Sequence, residues 1–267
     1  MIKLTDLLIE VKKKRPLAIF LAGSAGSGKS SFRKTFIDPI GKFMVLNLDD
    51  EYEPLLKKAK IPLDFRKYTS PEQLSKAAQA MAGAQVIHKK KYEDIKSAFQ
   101  NVVIDGTGGS SSEIAKKKKE LEDLGYKTLM ALIFVPPDIS LARNIKRGDE
   151  GGRTLMPSII LRTWSSLFNN IKTYKQMFGD DLVVYKAFGK EDTIFKDFDP
   201  EHPEVKKMFF DPFKVKGKEK SPEEKAKSAQ KIKDLNDLIR TQVKNIGKID
   251  FDDPQEIQNK IRRFTNA

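Results

Sequence analysis

The sequence predicts an α/β fold, a three-layer sandwich with a central five-stranded parallel sheet and a C-terminal helical appendage. Three observations predict it: five short apolar, β-branched runs, the amphipathic helical stretches between them, and a glycine-rich turn directly after the first run. The runs are 17–22, 43–48, 101–105, 128–135 and 182–185. Helix starts are marked by an oxygen cap followed by an acceptor three residues on: Ser70 with Gln73, Ser110 with Glu113, Ser221 with Glu224 and Asp253 with Glu256. Three of the four also carry proline at the first helical position. They predict helices over 71–99 and 111–124, the latter stopped by Gly125, and helical structure through the lysine- and glutamate-rich segment 214–267. Its first residues, 214–220, are expected to form a flexible loop before the helices. The expected organisation is an N-terminal amphipathic helix over 1–15, a catalytic body over 16–212 and a helical tail over 213–267.

Composition narrows the classes. The chain has 267 residues, 39% hydrophobic and 33% charged, enough for one sizeable core. No apolar run approaches the roughly 20 residues that span a bilayer. Lys3, Asp6 and Glu10 interrupt the N-terminal apolar residues, so no secretory signal is expected and the protein is placed in the cytoplasm. Cysteine is absent, which removes disulfides, thiolate metal sites and a cysteine nucleophile. The two histidines, His88 and His202, lack a motif and read as ordinary surface or packing residues. A net charge of +13 favours anionic partners, although the runs Lys89–Lys91 and Lys116–Lys119 read as solvated helix faces. Nothing in the sequence bears on oligomeric state.

The densest chemical signal is Gly23-Ser24-Ala25-Gly26-Ser27-Gly28-Lys29-Ser30, a match to G-x-x-x-x-G-K-S/T between an apolar run and a helical stretch over 29–37. This is a P-loop, or Walker A element. Glycines let backbone N–H groups converge on phosphate, the helix N-terminus adds positive potential, Lys29 reaches the terminal phosphates, and Ser30, with Ser31 beside it, supplies hydroxyls, that of Ser30 for Mg²⁺. ATP and Mg²⁺ are therefore the expected cofactors. No guanine-reading N/T-K-x-D element is present, which favours ATP over GTP.

A P-loop alone gives nucleotide binding, so the reaction must be read elsewhere. The second run closes on Asp49 and Asp50, at the strand end that faces the ligand crevice of an open α/β sheet. Asp50 is the candidate base for an acceptor hydroxyl; Asp49 contacts the acceptor or caps a helix beginning near Glu51. The third run closes on Asp105, as in a Walker B element, where the acid orders the Mg²⁺ shell or touches the acceptor. Thr107 adds a hydroxyl to the acceptor side, and Gly108 and Gly109 permit close backbone approach. After the fourth run, Arg143, Lys146 and Arg147 at helical spacing and Arg153 beyond a glycine turn read as a lid over the γ-phosphate, Arg147 on the nucleotide and Arg143 and Arg153 as the pair that meets transition-state charge. Trp164, Leu167, Phe168 and Ile171 follow at core spacing.

With these elements in one order, the chain over 16–188 resembles the zeta-toxin-like P-loop kinases. The resemblance implies ATP, Mg²⁺ and phosphoryl transfer to a hydroxyl. It aligns the Asp-x-Asp-x-aromatic-Arg pattern on Tyr52, which puts the base at Asp50 and the lid arginines at Arg143 or Arg147 and at Arg153. Two positions depart: Leu48 stands where the pattern has its first acid, and Glu53 where it has arginine. Toxins of this family phosphorylate a nucleotide-activated amino sugar, but the departures imply altered acceptor recognition. The expected acceptor is a small molecule or nucleotide sugar. A nucleic-acid acceptor, favoured by the basic charge, and a regulatory NTPase without acceptor are the alternatives.

Overall fold

The computed structural model describes residues 15–189 and 222–266. The expected N-terminal helix, the loop over 214–220, the boundary at 212–213, His202 and the Ser221 cap lie outside the described residues.

The sheet has five parallel strands: β1 (Leu17–Ala22), β2 (Met44–Asn47), β3 (Val102–Gly106), β4 (Lys127–Phe134) and β5 (Leu182–Lys186). Their order is β2-β3-β1-β4-β5, so β1 lies at the centre, the chain builds β2 and β3 on one side of it and then crosses to build β4 and β5 on the other. Such a reversal opens a crevice at the carboxyl ends of the strands.

Alternation along the strands explains the layers. Ala18, Phe20 and Ala22 of β1, with Met130, Leu132 and Phe134 of β4, join a core with Tyr92 and Ile95 of α3 (Pro71–Ser97), Leu121 of α4 (Ser111–Asp123), Trp164 and Leu167 of α6 (Pro157–Phe178), and Ile239 of α7 (Pro222–Lys244). The intervening Leu17, Ile19 and Leu21, with Leu129, Ala131 and Ile133, pack on the other face against Phe32 of α1 (Lys29–Phe32) and Ile257, Ile261 and Phe264 of α8 (Pro254–Asn266). Both sheet faces are thus covered, as near-continuous apolar strands require. The C-terminal helices form part of both outer layers. Asp252 also closes the β5 edge, its N–H donating to Val184 O at 2.9 Å while its carboxylate accepts from Val184 N at 2.7 Å.

A smaller cluster, built on Tyr52 and Leu56 of α2 (Leu48–Lys58) and Ala77 and Ala84 of α3, makes a helical hairpin beside β2. Among the described residues no helix is long and apolar enough to cross a membrane.

Most boundaries shift by a residue or two, and two shifts bear on the site. β2 ends at Asn47, and α2 begins at Leu48, because the Asn47 side chain accepts from Asp49 N and caps the helix. Asp49 and Asp50 therefore stand in a first helical turn, where their charge suits the helix dipole, and Asp49 is not the cap. The helix expected over 29–37 is α-helical only to Phe32 and continues as a wider π-type turn over Arg33–Ile37.

Candidate active site

A cleft of about 1300 Å³ opens at the carboxyl ends of β1, β3 and β5. Pockets for one small ligand run to roughly 300–1,000 Å³. This one has room for two.

The loop over 23–28 forms its floor. Gly26 and Gly28 have φ of 72° and 92°, a region that side chains rarely adopt, and a Cβ at Gly23 would fall 2.3 Å from Ser27 Oγ. Glycine is demanded at all three positions. From α5 (Pro137–Asp149), the Ser140 hydroxyl donates to Ala25 O at 2.6 Å, and its oxygen lies 3.1 Å from the Ser24 hydroxyl, bracing the loop from behind. Ser27 Oγ is buried without a hydrogen-bond partner, and Lys29 Nζ donates to Gly23 O at 2.9 Å and Ser24 O at 3.4 Å. A cradle of backbone donors with a lysine folded into it and an unsatisfied hydroxyl beneath fits a phosphate chain.

Asp105, at the end of β3, stands 3.7 Å from Lys29 Nζ. Burial pushes its carboxyl above the ordinary value; Lys29 opposes this, while Asp49 and Asp50 reinforce it. Among the described residues no group of three acidic or histidine side chains could hold a metal by itself. Ser30 and Asp105 fit Mg²⁺ only in company with phosphate oxygens, which is how this cation is commonly held. After β3, Gly108 adopts φ 69°, and its carbonyl accepts from Tyr174 Oη at 2.6 Å, which fixes the turn carrying Thr107 into the cleft wall.

The arginines read as a lid come from two places, α5 and the turn after it. Arg143 Nη1 donates to Gly26 O at 3.2 Å and Arg143 Nη2 to Ala187 O at 3.4 Å, tying α5 to the loop and to the segment after β5. Arg147 Nη2 donates to Glu53 Oε1 at 3.0 Å. Arg153 is only 7% exposed; its Nη2 meets Asp49 Oδ2 at 2.5 Å, and its guanidinium lies 5.6 Å from the Tyr52 ring centre. Lys146 points away, into an exposed pairing with Glu150.

The cleft therefore brings together residues 25–31 of the loop, Asp49, Asp105, Thr107, Arg143, Arg147 and Arg153. Gly23 and Ser24 lie just beneath. Asp50 is exposed at its edge rather than lining it; partial burial raises its carboxyl above the ordinary value, against the pull of Lys91.

Sequence reasoning missed several neighbours. His88, read as an ordinary surface or packing residue, lines the cleft with Nδ1 3.6 Å from the buried Glu51, and burial lowers its basicity. Lys117, from a run read as a solvated face, lines it too. Ser140 carries no motif at all. The signal available for His88 and Lys117 was their position on helices flanking the third strand.

A family model, "Zeta toxin", matches residues 4–199. The chain belongs to the Zeta toxin family. No curated protein sequence matches it. Among solved structures, the complex AvrRxo1-ORF1:-ORF2 with ATP is similar at 13% identity and TM-score 0.54, covering 96% of this chain and 82% of that one. The same complex with sulphate ions gives 14%, 0.54, 96% and 78%. The PezAT toxin-antitoxin system of Streptococcus pneumoniae gives 18% identity and TM-score 0.49, over 85% of this chain and 88% of that one. Family and fold together make this Zeta toxin member a P-loop kinase-like protein.

Proposed function

We propose that this chain is an ATP-dependent kinase that transfers the γ-phosphoryl group to a hydroxyl of a small molecule or nucleotide sugar, acting in the cytoplasm. One observation carries the reading: a phosphate cradle with Lys29, and a carboxylate-bearing helix turn with Arg153 reaching to it from the lid, share one cleft. ATP binding by the similar AvrRxo1-ORF1:-ORF2 complex supports the choice of nucleotide.

The backbone N–H groups of Gly23, Ser24, Ala25, Gly26, Ser27 and Gly28, with Lys29 and the hydroxyls of Ser30 and Ser31, hold the triphosphate. Arg147 neutralises it from the lid, and Arg143 and Arg153 meet the charge that develops on the transferring group. Ser30 and Asp105 would hold Mg²⁺, which would supply neutralisation of phosphate charge. Thr107 and Asp49 orient the acceptor. Asp50 takes the hydroxyl proton as the oxygen–phosphorus bond forms and the bond to the ADP oxygen breaks. Asp49 is committed to Arg153, so its charge is already compensated, whereas the raised affinity of Asp50 for a proton suits a base.

The test is γ-labelled ATP supplied with separate metabolite, nucleotide-sugar and oligonucleotide pools, followed by identification of the labelled product. Lys29→Ala is expected to impair nucleotide binding. Asp50→Asn is expected to bind ATP normally and to transfer at least about 10²-fold more slowly. Full transfer by Asp50→Asn with loss in Asp49→Asn moves the base to Asp49. ATP hydrolysis with no labelled acceptor sinks the kinase reading in favour of a regulatory NTPase. A nucleic-acid acceptor is the second reading, favoured by the net charge of +13 and by Lys117 at the cleft wall. It requires oligonucleotide binding that weakens steeply with salt.

A further inference from the structure

Glu53 stands in α2, beside the lid arginines and just outside the residues that line the cleft. Its Oε1 lies 3.0 Å from Arg147 Nη2 and 3.8 Å from Arg153 Nε, and that Nε is buried without a hydrogen-bond partner. Two lid guanidiniums thus converge on one carboxylate.

The backbone of the lid turn is held separately. Thr154 N donates to Leu63 O at 3.2 Å, Thr154 Oγ1 donates to the buried Asp64 at 2.9 Å and accepts from Phe65 N at 3.0 Å. Arg66 pairs with Asp64 and with Asp149 at the end of α5. A Cβ on Gly152 would fall 2.7 Å from Arg147 Cγ, so the turn packs directly on the arginine stem. These contacts set where the lid chain runs but leave open where its guanidiniums point. Asp49 directs one amino group of Arg153, and Glu53 faces the remaining edge of Arg153 together with the head of Arg147. An arginine at position 53, as in the family pattern, would set three guanidiniums within a few ångströms.

We propose that Glu53 is a positioning residue, which aligns Arg147 and Arg153 across the cleft before substrates arrive and so presents them ordered to the transferring phosphoryl group. Its catalytic consequence rests on the kinase reading; its structural half does not. Ordering charged donors in advance removes the reorganisation they would otherwise undergo during reaction.

The experiment uses the full chain with Glu53→Gln, Glu53→Ala and Glu53→Arg. Exchange with water of the Arg147 and Arg153 guanidinium Nε–H protons, followed by NMR without nucleotide, is expected to quicken about threefold or more in the Ala and Arg variants, least in Gln, which keeps an acceptor oxygen, while amide exchange over 23–31 stays unchanged. Guanidinium exchange equal to wild type in all three overturns the inference whatever the chemistry. On the labelled acceptor, kcat is expected to fall about tenfold in Glu53→Ala with the KM for ATP changed less than about threefold. A loss confined to the KM for the acceptor makes Glu53 an acceptor contact and overturns positioning. Absence of transfer by the wild-type chain defeats the kinase reading alone, since the exchange measurement still decides the geometry.

Discussion

Asp105, Asp50 and Asp49 each carry part of the negative charge gathered beside Lys29, and the surroundings treat them differently. Burial and mutual repulsion raise Asp105 and Asp50, whereas Asp49 is matched by Arg153. Lys91 is the foremost charge lowering Asp50, whereas Lys29 is the foremost charge lowering Asp105. Removal of Lys91 therefore distinguishes them. If Asp50 is the base, activity is lost as pH falls through its raised pKa, and Lys91→Ala is expected to move the acidic limb of kcat/KM to higher pH; an unmoved limb assigns it elsewhere. Asp64 has the opposite sign. Burial disfavours its charge, but hydrogen bonds from Arg66 and Thr154 outweigh burial and hold the carboxyl below its ordinary value of 3.8. Its contribution to stability is thus complete above that pH and is lost as pH falls through the lowered folded value. Asp64→Asn is expected to cost about 1–3 kcal/mol at neutral pH, with the gap to wild type narrowing in acid, as chemical denaturation at several pH values would measure.

At the scale of elements, local signals and remote ones separate cleanly. Ser70 and Gln73 form the reciprocal capping box that their spacing announces, as do Asp253 and Glu256, and Gly125 ends α4 with φ 90°. Ser70→Ala is expected to cost about 1 kcal/mol in thermal unfolding. The start of α2 was harder, because Val45-Leu46-Asn47-Leu48 continues the apolar run of a strand while one asparagine side chain, turned back on Asp49 N, starts a helix. The turn after β3 carries a further constraint. A Cβ at Gly108 would fall 2.6 Å from Leu167 and 2.8 Å from Ala22, at a φ that side chains rarely adopt. Gly108→Ala is expected to destabilise the fold by about 2–3 kcal/mol and to displace Thr107. Glycine at 108 was visible as permission for close approach; that Leu167 is what approaches was not.

In the whole molecule, the C-terminal helices belong to the same packing that builds the cleft. Gln242 Nε2 of α7 donates to Ser165 O at 3.1 Å and Asn169 Oδ1 at 2.9 Å, and Lys260 of α8 donates to Leu182 O at 2.7 Å. Ile261 is buried against the β1–β4 face that also holds Phe32 behind the P-loop. Ile261→Ala is expected to cost about 2–5 kcal/mol and to lower the midpoint of a single unfolding transition, nucleotide site included. A separate, unshifted transition for the nucleotide site would make the tail an independent unit.

Five strands, the phosphate loop, the helix caps at Ser70, Ser110 and Asp253 and the alternation of strands with helices could all be read along the chain, since each is dictated by residues within one element and by the period of that element. The meeting of Arg147 with Glu53 across 94 residues, of Arg153 with Asp49 across 104, and the arrival of His88 and Lys117 at the cleft depend on how elements stack after collapse. No spacing encodes those encounters. A lysine on a solvated helix face and a lysine on a cleft wall have the same local pattern, and only the packing of the helix against its neighbours distinguishes them.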